Sequence, residues 1–110
     1  VDPFRDSPAD MKEYTTSFHP DFFGVTGEPQ VLKKLSEELQ LYYMFMNMST
    51  KKPFDTVLKR PETEAYHVMH SSSVLLTNPE GKLVARLSAP FDVAKTTDTL
   101  QKIIDYYAKK

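Results

Sequence analysis

Ala65-Tyr66-His67-Val68-Met69-His70-Ser71 runs straight into Ser72-Ser73-Val74-Leu75-Leu76-Thr77, and this junction orders the rest of the chain. A histidine-bearing stretch meets a short apolar run of the kind that makes a buried β-strand. Asn78-Pro79-Glu80-Gly81 follows, a strong turn signal, and Lys82 to Leu87 then alternates polar and apolar as an antiparallel partner does. Ala89 to Thr96 reads as a loop containing Pro90. Thr97 to Tyr107 places Leu100, Ile103, Ile104 and Tyr107 on one helical face. Asp98 near its start and Lys109-Lys110 at its end suit the helix dipole.

Working upstream, Tyr66 to Val68 can pair with Tyr42 to Met48 (YYMFMNM), which is apolar on both alternating faces, as a two-sided buried strand is. Between them, residues 49–63 carry Pro53 and Pro61 and read as a long, functional or mobile loop. Leu32, Leu35 and Leu39 recur at helical spacing after Pro29, with Lys33, Lys34, Glu37 and Glu38 between them, so an amphipathic helix is expected there. Phe22 to Thr26 is a short apolar run suited to an edge strand. Ser7 can cap a helix begun by Pro8, with Met11, Tyr14 and Phe18 on one face and His19-Pro20 as its stop. Val1 to Pro8 reads as a strand end and turn. The order points to an α/β domain with a mixed sheet flanked by helices. Its last three elements match the ββα half of a thioredoxin-like fold.

At 110 residues the chain is expected to form one domain, residues 1–110. The net charge of −1 supplies no basic footprint for nucleic acid. No apolar run approaches the roughly 20 residues that span a bilayer. With 0 Cys, internal disulfides, cysteine-ligated zinc and a thiol nucleophile within these residues are excluded. The start at Val1, with no Met and no signal-peptide pattern, suggests a processed or trimmed piece.

Candidate chemistry centres on histidine and methionine. His70 can be a metal ligand, an acid/base or a capped core histidine. Taken alone, a single His before a strand is more often structural; its position, with only Ser71-Ser72-Ser73 behind it to hide an imidazole, raises the case for function. His67 and His70 form H-x-x-H, but on a strand residues three apart face opposite ways, so a two-His site is not expected. Met44, Met46 and Met48 at period 2 would line one strand face with thioethers, which suit Cu(I), although filling a core gap is the commoner role of such methionines. Asp6, Asp10 and Glu13 suit capping, and Glu62-Thr63-Glu64 suits a solvated loop.

Several segments resemble one family. Val1-Asp2-Pro3-Phe4-Arg5-Asp6-Ser7-Pro8 resembles the VDPxRDxP segment of the Sco/SenC copper-chaperone family. Phe18-His19-Pro20-Asp21-Phe22 with Gly24-Val25-Thr26-Gly27 resembles its F-x-P-x-F-x-G-x-T-G segment. Tyr66-His67-Val68-Met69-His70-Ser71 resembles its Y-x-V-x-H-S segment, with a P-x-G turn after it at Pro79-Glu80-Gly81.

The resemblance implies a thioredoxin-like fold. It implies a copper metallochaperone that helps assemble the binuclear copper centre of cytochrome c oxidase by ligand exchange, without turnover. It implies copper as cargo, held by two Cys of a C-x-x-x-C segment and one distant His, which His70 matches. It implies as partners the copper subunit of cytochrome c oxidase or another copper carrier. The implied setting is a membrane-tethered protein facing the bacterial periplasm or, as second choice, the mitochondrial intermembrane space.

This chain departs from the pattern twice. The C-x-x-x-C segment, upstream of VDPxRDxP in the family, is absent, and so is the βα part that carries it. Met69 stands where the family usually has Asp. The expectation is a truncated, N-terminally incomplete domain whose open strand edges pair with another chain or swap into a homo-oligomer. The alternatives are a thiol–disulfide oxidoreductase of the same fold, with His70 tuning a thiol, and a Cys-free interaction module using the YYMFMNM edge.

Overall fold

Ser7 and Pro8 set the first helix. Ser7 Oγ accepts from Asp10 N at 3.1 Å and Asp10 Oδ2 accepts from Ser7 N at 3.0 Å, a reciprocal cap. Pro8 takes the first helical position, where its missing N–H costs nothing. Ser7 Oγ also donates to Asp10 Oδ2 at 2.6 Å, and this bond first, then the one from Ser7 N, holds the Asp10 carboxyl below its ordinary value. The helix is α1, Pro8–Thr16, in a computed structural model that describes residues 1–109. It ends before His19-Pro20 because the Thr15, Thr16 and Ser17 hydroxyls donate back to the carbonyls of Met11, Lys12 and Tyr14, a local alternative to continued helix.

Of the strand end and turn expected at Val1 to Pro8 the turn forms, closed by Asp6 N donating to Asp2 O at 3.0 Å, and the edge strand expected next does not form. Residues 22–26 are irregular, because a strand needs a neighbour for its N–H and C=O groups and no ladder reaches this run among the described residues. Instead the run lies against α1 at Gly24, where a Cβ would come within 2.8 Å of Met11 Cβ. The expected amphipathic helix is α2, Pro29–Glu38. It closes with Leu41 N donating to Ser36 O at 2.8 Å and Gln40 N to Glu37 O at 3.1 Å, while Gln40 takes a left-handed φ of 54°.

β1, Tyr43–Asn47, pairs antiparallel with β2, Tyr66–His70. The register puts Tyr43 opposite His70, Phe45 opposite Val68 and Asn47 opposite Tyr66 on one face, and Met44 opposite Met69 and Met46 opposite His67 on the other. Tyr43, Phe45 and Tyr66 are buried on the first face, with Phe4, Phe54, Val57 and Val68 packed on them. Met44 and Met46 are half-buried, so only one face of the expected two-sided strand is fully covered. Alternation marks a face as apolar without saying what covers it.

The expected long loop is in part anchored structure. Asn47 N donates to Lys52 O at 2.9 Å and Phe54 N to Phe45 O at 2.9 Å, laying residues 52–54 beside β1. Asn47 Oδ1 accepts from Ser49 N and Thr50 N to make the turn. Arg60 donates to Phe4 O at 2.9 Å and pairs with Glu64, tying the far end down.

The chain divides into two compact units, Val1–Ser71 and Ser72–Lys110. In the second, β3, Val74–Thr77, pairs antiparallel with β4, Leu83–Leu87. Asn78 Oδ1 accepts from Glu80 N at 3.1 Å and Lys82 N at 2.8 Å, and Gly81 supplies the left-handed φ of 79° the turn requires. β3 was expected to be buried; Leu75 and Leu76 are half-buried and Val74 is exposed, again an apolar face without a full cover. α3, Val93–Ala108, starts ahead of the expected Thr97 because Asp92 Oδ1 accepts from Lys95 N at 2.9 Å and caps it. Lys109 is its C-cap; Lys110 lies outside the described residues. The class is α/β as expected, with two antiparallel strand pairs among the described residues in place of one continuous mixed sheet.

Candidate functional site

His70 is the last residue of β2 and is exposed. Its Nδ1 lies 2.9 Å from Ser71 O. A carbonyl can only accept, so the contact makes Nδ1 the protonated nitrogen and leaves the Nε2 lone pair free for a ligand. Ser71 fixes the junction behind it. Ser71 N donates to Tyr42 O at 2.8 Å, and Ser71 Oγ accepts from Tyr42 N at 2.7 Å. The imidazole is thus held at the end of a ladder by the residue that follows it.

The other end of β2 is anchored by a cluster the sequence reading did not assemble. Tyr66 is 2% exposed and Asp2 4%. Tyr66 Oη donates to Asp2 Oδ1 at 3.1 Å, and Arg5 Nε donates to Asp2 Oδ2 at 2.7 Å. Arg5 also donates to Tyr66 O at 2.9 Å, and its guanidinium lies 3.7 Å from the centroid of the Tyr66 ring. Burial works against the Arg5 charge, but the hydrogen bond and charge of Asp2 outweigh it and hold the guanidinium above its ordinary value. Burial first, then the Asp2 hydrogen bond and charge, push the Tyr66 phenol up to about 12. The only hint of this in the sequence was that Asp2, Arg5 and Tyr66 stand at fixed letters of two family-like segments. Here those segments meet, and the product is a rigid base for the strand that carries His70.

His67 and His70 both lie on β2, so they face opposite ways, as the strand reading required. His19 is remote from both in the sequence, and its Nδ1 accepts from Asp21 N at 3.1 Å. Met44 and Met46 lie on the His67 face; Met48 lies past the end of β1. Among the described residues no three His, Asp or Glu side chains converge as a cation site. Among the described residues these side chains therefore form no complete oxygen and nitrogen shell. No helix among the described residues is long and apolar enough to cross a membrane.

Residues 1–105 match SCO1/SenC. The chain belongs to the SCO1/SenC family. It is 33% identical, over 99% of its length, to Protein SCO1 homolog 1, mitochondrial, of Arabidopsis thaliana, of which it covers 29%. It is 32% identical, over 96% of its length, to Protein SCO1, mitochondrial, of Saccharomyces cerevisiae, of which it covers 32%. A solved structure of Arabidopsis thaliana ScoI with copper bound matches it at a TM-score of 0.78 and 32% identity, over 97% of this chain and 58% of that one. The SCO1/SenC chain shares its thioredoxin-like α/β fold with that structure. It spans about a third of the length of these two curated relatives.

Proposed function

We propose that the protein to which these residues belong carries copper for assembly of the binuclear copper centre of cytochrome c oxidase, passing the metal on by ligand exchange. His70 Nε2 is the ligand these residues supply. The two soft thiolates the metal also needs come from sequence beyond these residues, which contain 0 Cys. The observation that carries the reading is the committed tautomer of His70, Nδ1 on Ser71 O at 2.9 Å with Nε2 free, in a chain of this family. The recipient is the copper subunit of the oxidase or another copper carrier. The compartment is the one that faces the oxidase copper site, the bacterial periplasm or the mitochondrial intermembrane space, with any membrane tether outside these residues. A second copy would add at a strand edge, and the outer edges of β3 and β4 suit this better than that of β1, along which residues 52–54 lie.

The test is copper affinity of the full-length protein with His70→Ala. The expected loss exceeds the roughly 10- to 100-fold that changes around a metal ligand bring. Unchanged affinity removes His70 from the site.

A further inference from the structure

The outer face of the β1–β2 ladder carries side chains that the His70 role leaves unused. Met44 stands opposite Met69 and Met46 opposite His67, and directly opposed residues share a face with Cβ atoms about 4.5–5.5 Å apart. Two adjacent rungs therefore gather three thioethers and one imidazole. His67 Nε2 is 3.2 Å from Met69 Sδ; a thioether only accepts, so Nε2 carries the proton in the metal-free chain, and a metal takes that place as the proton passes to Nδ1. The aromatic core formed by Tyr43, Phe45 and Tyr66 is on the opposite face, so these methionines do not fill it. Met69 is 46% exposed, His67 is exposed, and Met44 and Met46 are half-buried.

We infer that this face is a second metal site, in which Met44, Met46, Met69 and His67 cradle a soft monovalent cation, Cu(I) or its mimic Ag(I). Thioether sulfur is a weak donor to hard ions and a good one to Cu(I), and imidazole adds a stronger anchor. The four donors are neutral, which favours a monovalent over a divalent ion. The site is shallow and open, so the ion exchanges readily. It is separate from His70, which faces the other way on the same strand.

The experiment is an anaerobic titration of this chain with Ag(I) and Cu(I), read by methionine methyl NMR and by competition with a chromophoric Cu(I) chelator. The methyls of Met44, Met46 and Met69 should shift together with one equivalent of metal, and that of Met11 should not. Met69→Leu and His67→Ala should each weaken binding by roughly tenfold or more, and His19→Ala, outside both sites, should leave it unchanged. Met→Leu keeps side-chain volume, so the fold is expected to persist, and the remaining methyl signals report it. Static methyls, or affinity that survives Met69→Leu and His67→Ala, overturn the site. Affinity lost in His19→Ala alone overturns it too. Because the titration does not depend on the distant thiolates, its failure and a failure of the His70 reading are distinguishable.

Discussion

The two units are stabilised by different kinds of contact. Val1–Ser71 has a buried aromatic cluster and a buried carboxylate, and joins Asp2 and Arg5 to Tyr66 across most of its length. Ser72–Lys110 has no buried residue among those described. Its hairpin and α3 instead line an apolar groove of about 320 Å³ that includes Leu76, Val84, Ile103, Ile104 and Tyr107. The second unit is shaped by local rules: an Asn-Pro-Glu-Gly turn, an Asp cap and helical spacing. The first is held by contacts between distant residues. His70 belongs to the unit with the firmer core.

The largest effect that could break this contrast is Phe45→Ala. Phe45 is 0% exposed, so the change should cost about 3–5 kcal/mol, against roughly 1–2 kcal/mol for the half-exposed Leu76→Ala. Amide hydrogen exchange resolves the two units. Phe45→Ala should strip protection from β1 and β2 and leave that of β3 and β4 unchanged. Equal loss in both strand pairs would mean that the units open as one, and the contrast would fail.

Tyr66→Phe is the next test. It removes the Oη donor to a buried Asp2 oxygen, a loss of about 1–3 kcal/mol. It also carries a pH signature. The folded phenol titrates at about 12, above its ordinary 10.0. Folding therefore favours the neutral form, whose contribution is whole below the unfolded value and is lost as pH rises through the folded one. Urea midpoints of the parent should fall across this alkaline window, and those of Tyr66→Phe should lack that step. An identical alkaline fall in both would place the titration elsewhere.

What the sequence made legible follows the same division. The Ser7-Pro8 start, the Leu32/Leu35/Leu39 helix and the Gly81 turn are set by neighbouring residues, and all form as expected. The start of α3 was missed at Asp92, a cap signal masked by Pro90 beside it. The run at residues 22–26 was read as a strand because apolar composition does not reveal whether a partner edge is in reach. The anchoring of β2 was unreadable, since Asp2 and Tyr66 are linked only through the fold. His70 was legible as a candidate, but its free nitrogen became visible only once Ser71 O was placed. The methionine face was half legible: period 2 aligned Met44 with Met46, and only the register added Met69 and His67.

The smallest test exchanges the left-handed residues of the two units. Gln40, φ 54°, closes α2 in the first unit, and Gly81, φ 79°, closes the hairpin in the second. A side chain in that region costs about 1–2 kcal/mol, and glycine relieves it at an unfolded-state entropy cost of about 0.4–1 kcal/mol. Gln40→Gly should therefore stabilise by roughly 0.5–1 kcal/mol, and Gly81→Gln should destabilise by a similar amount. A Cβ at Gly81 meets no heavy atom within 4 Å, so strain in φ is what that variant reports. Thermal midpoints that move in opposite directions by similar amounts would show that backbone geometry at chain turns acts alike in both units. The contrast between them would then lie in burial and long-range hydrogen bonding. A large fall in Gly81→Gln beside a flat Gln40→Gly would instead make the turn a principal support of the second unit, which has no buried core among its described residues to share the strain.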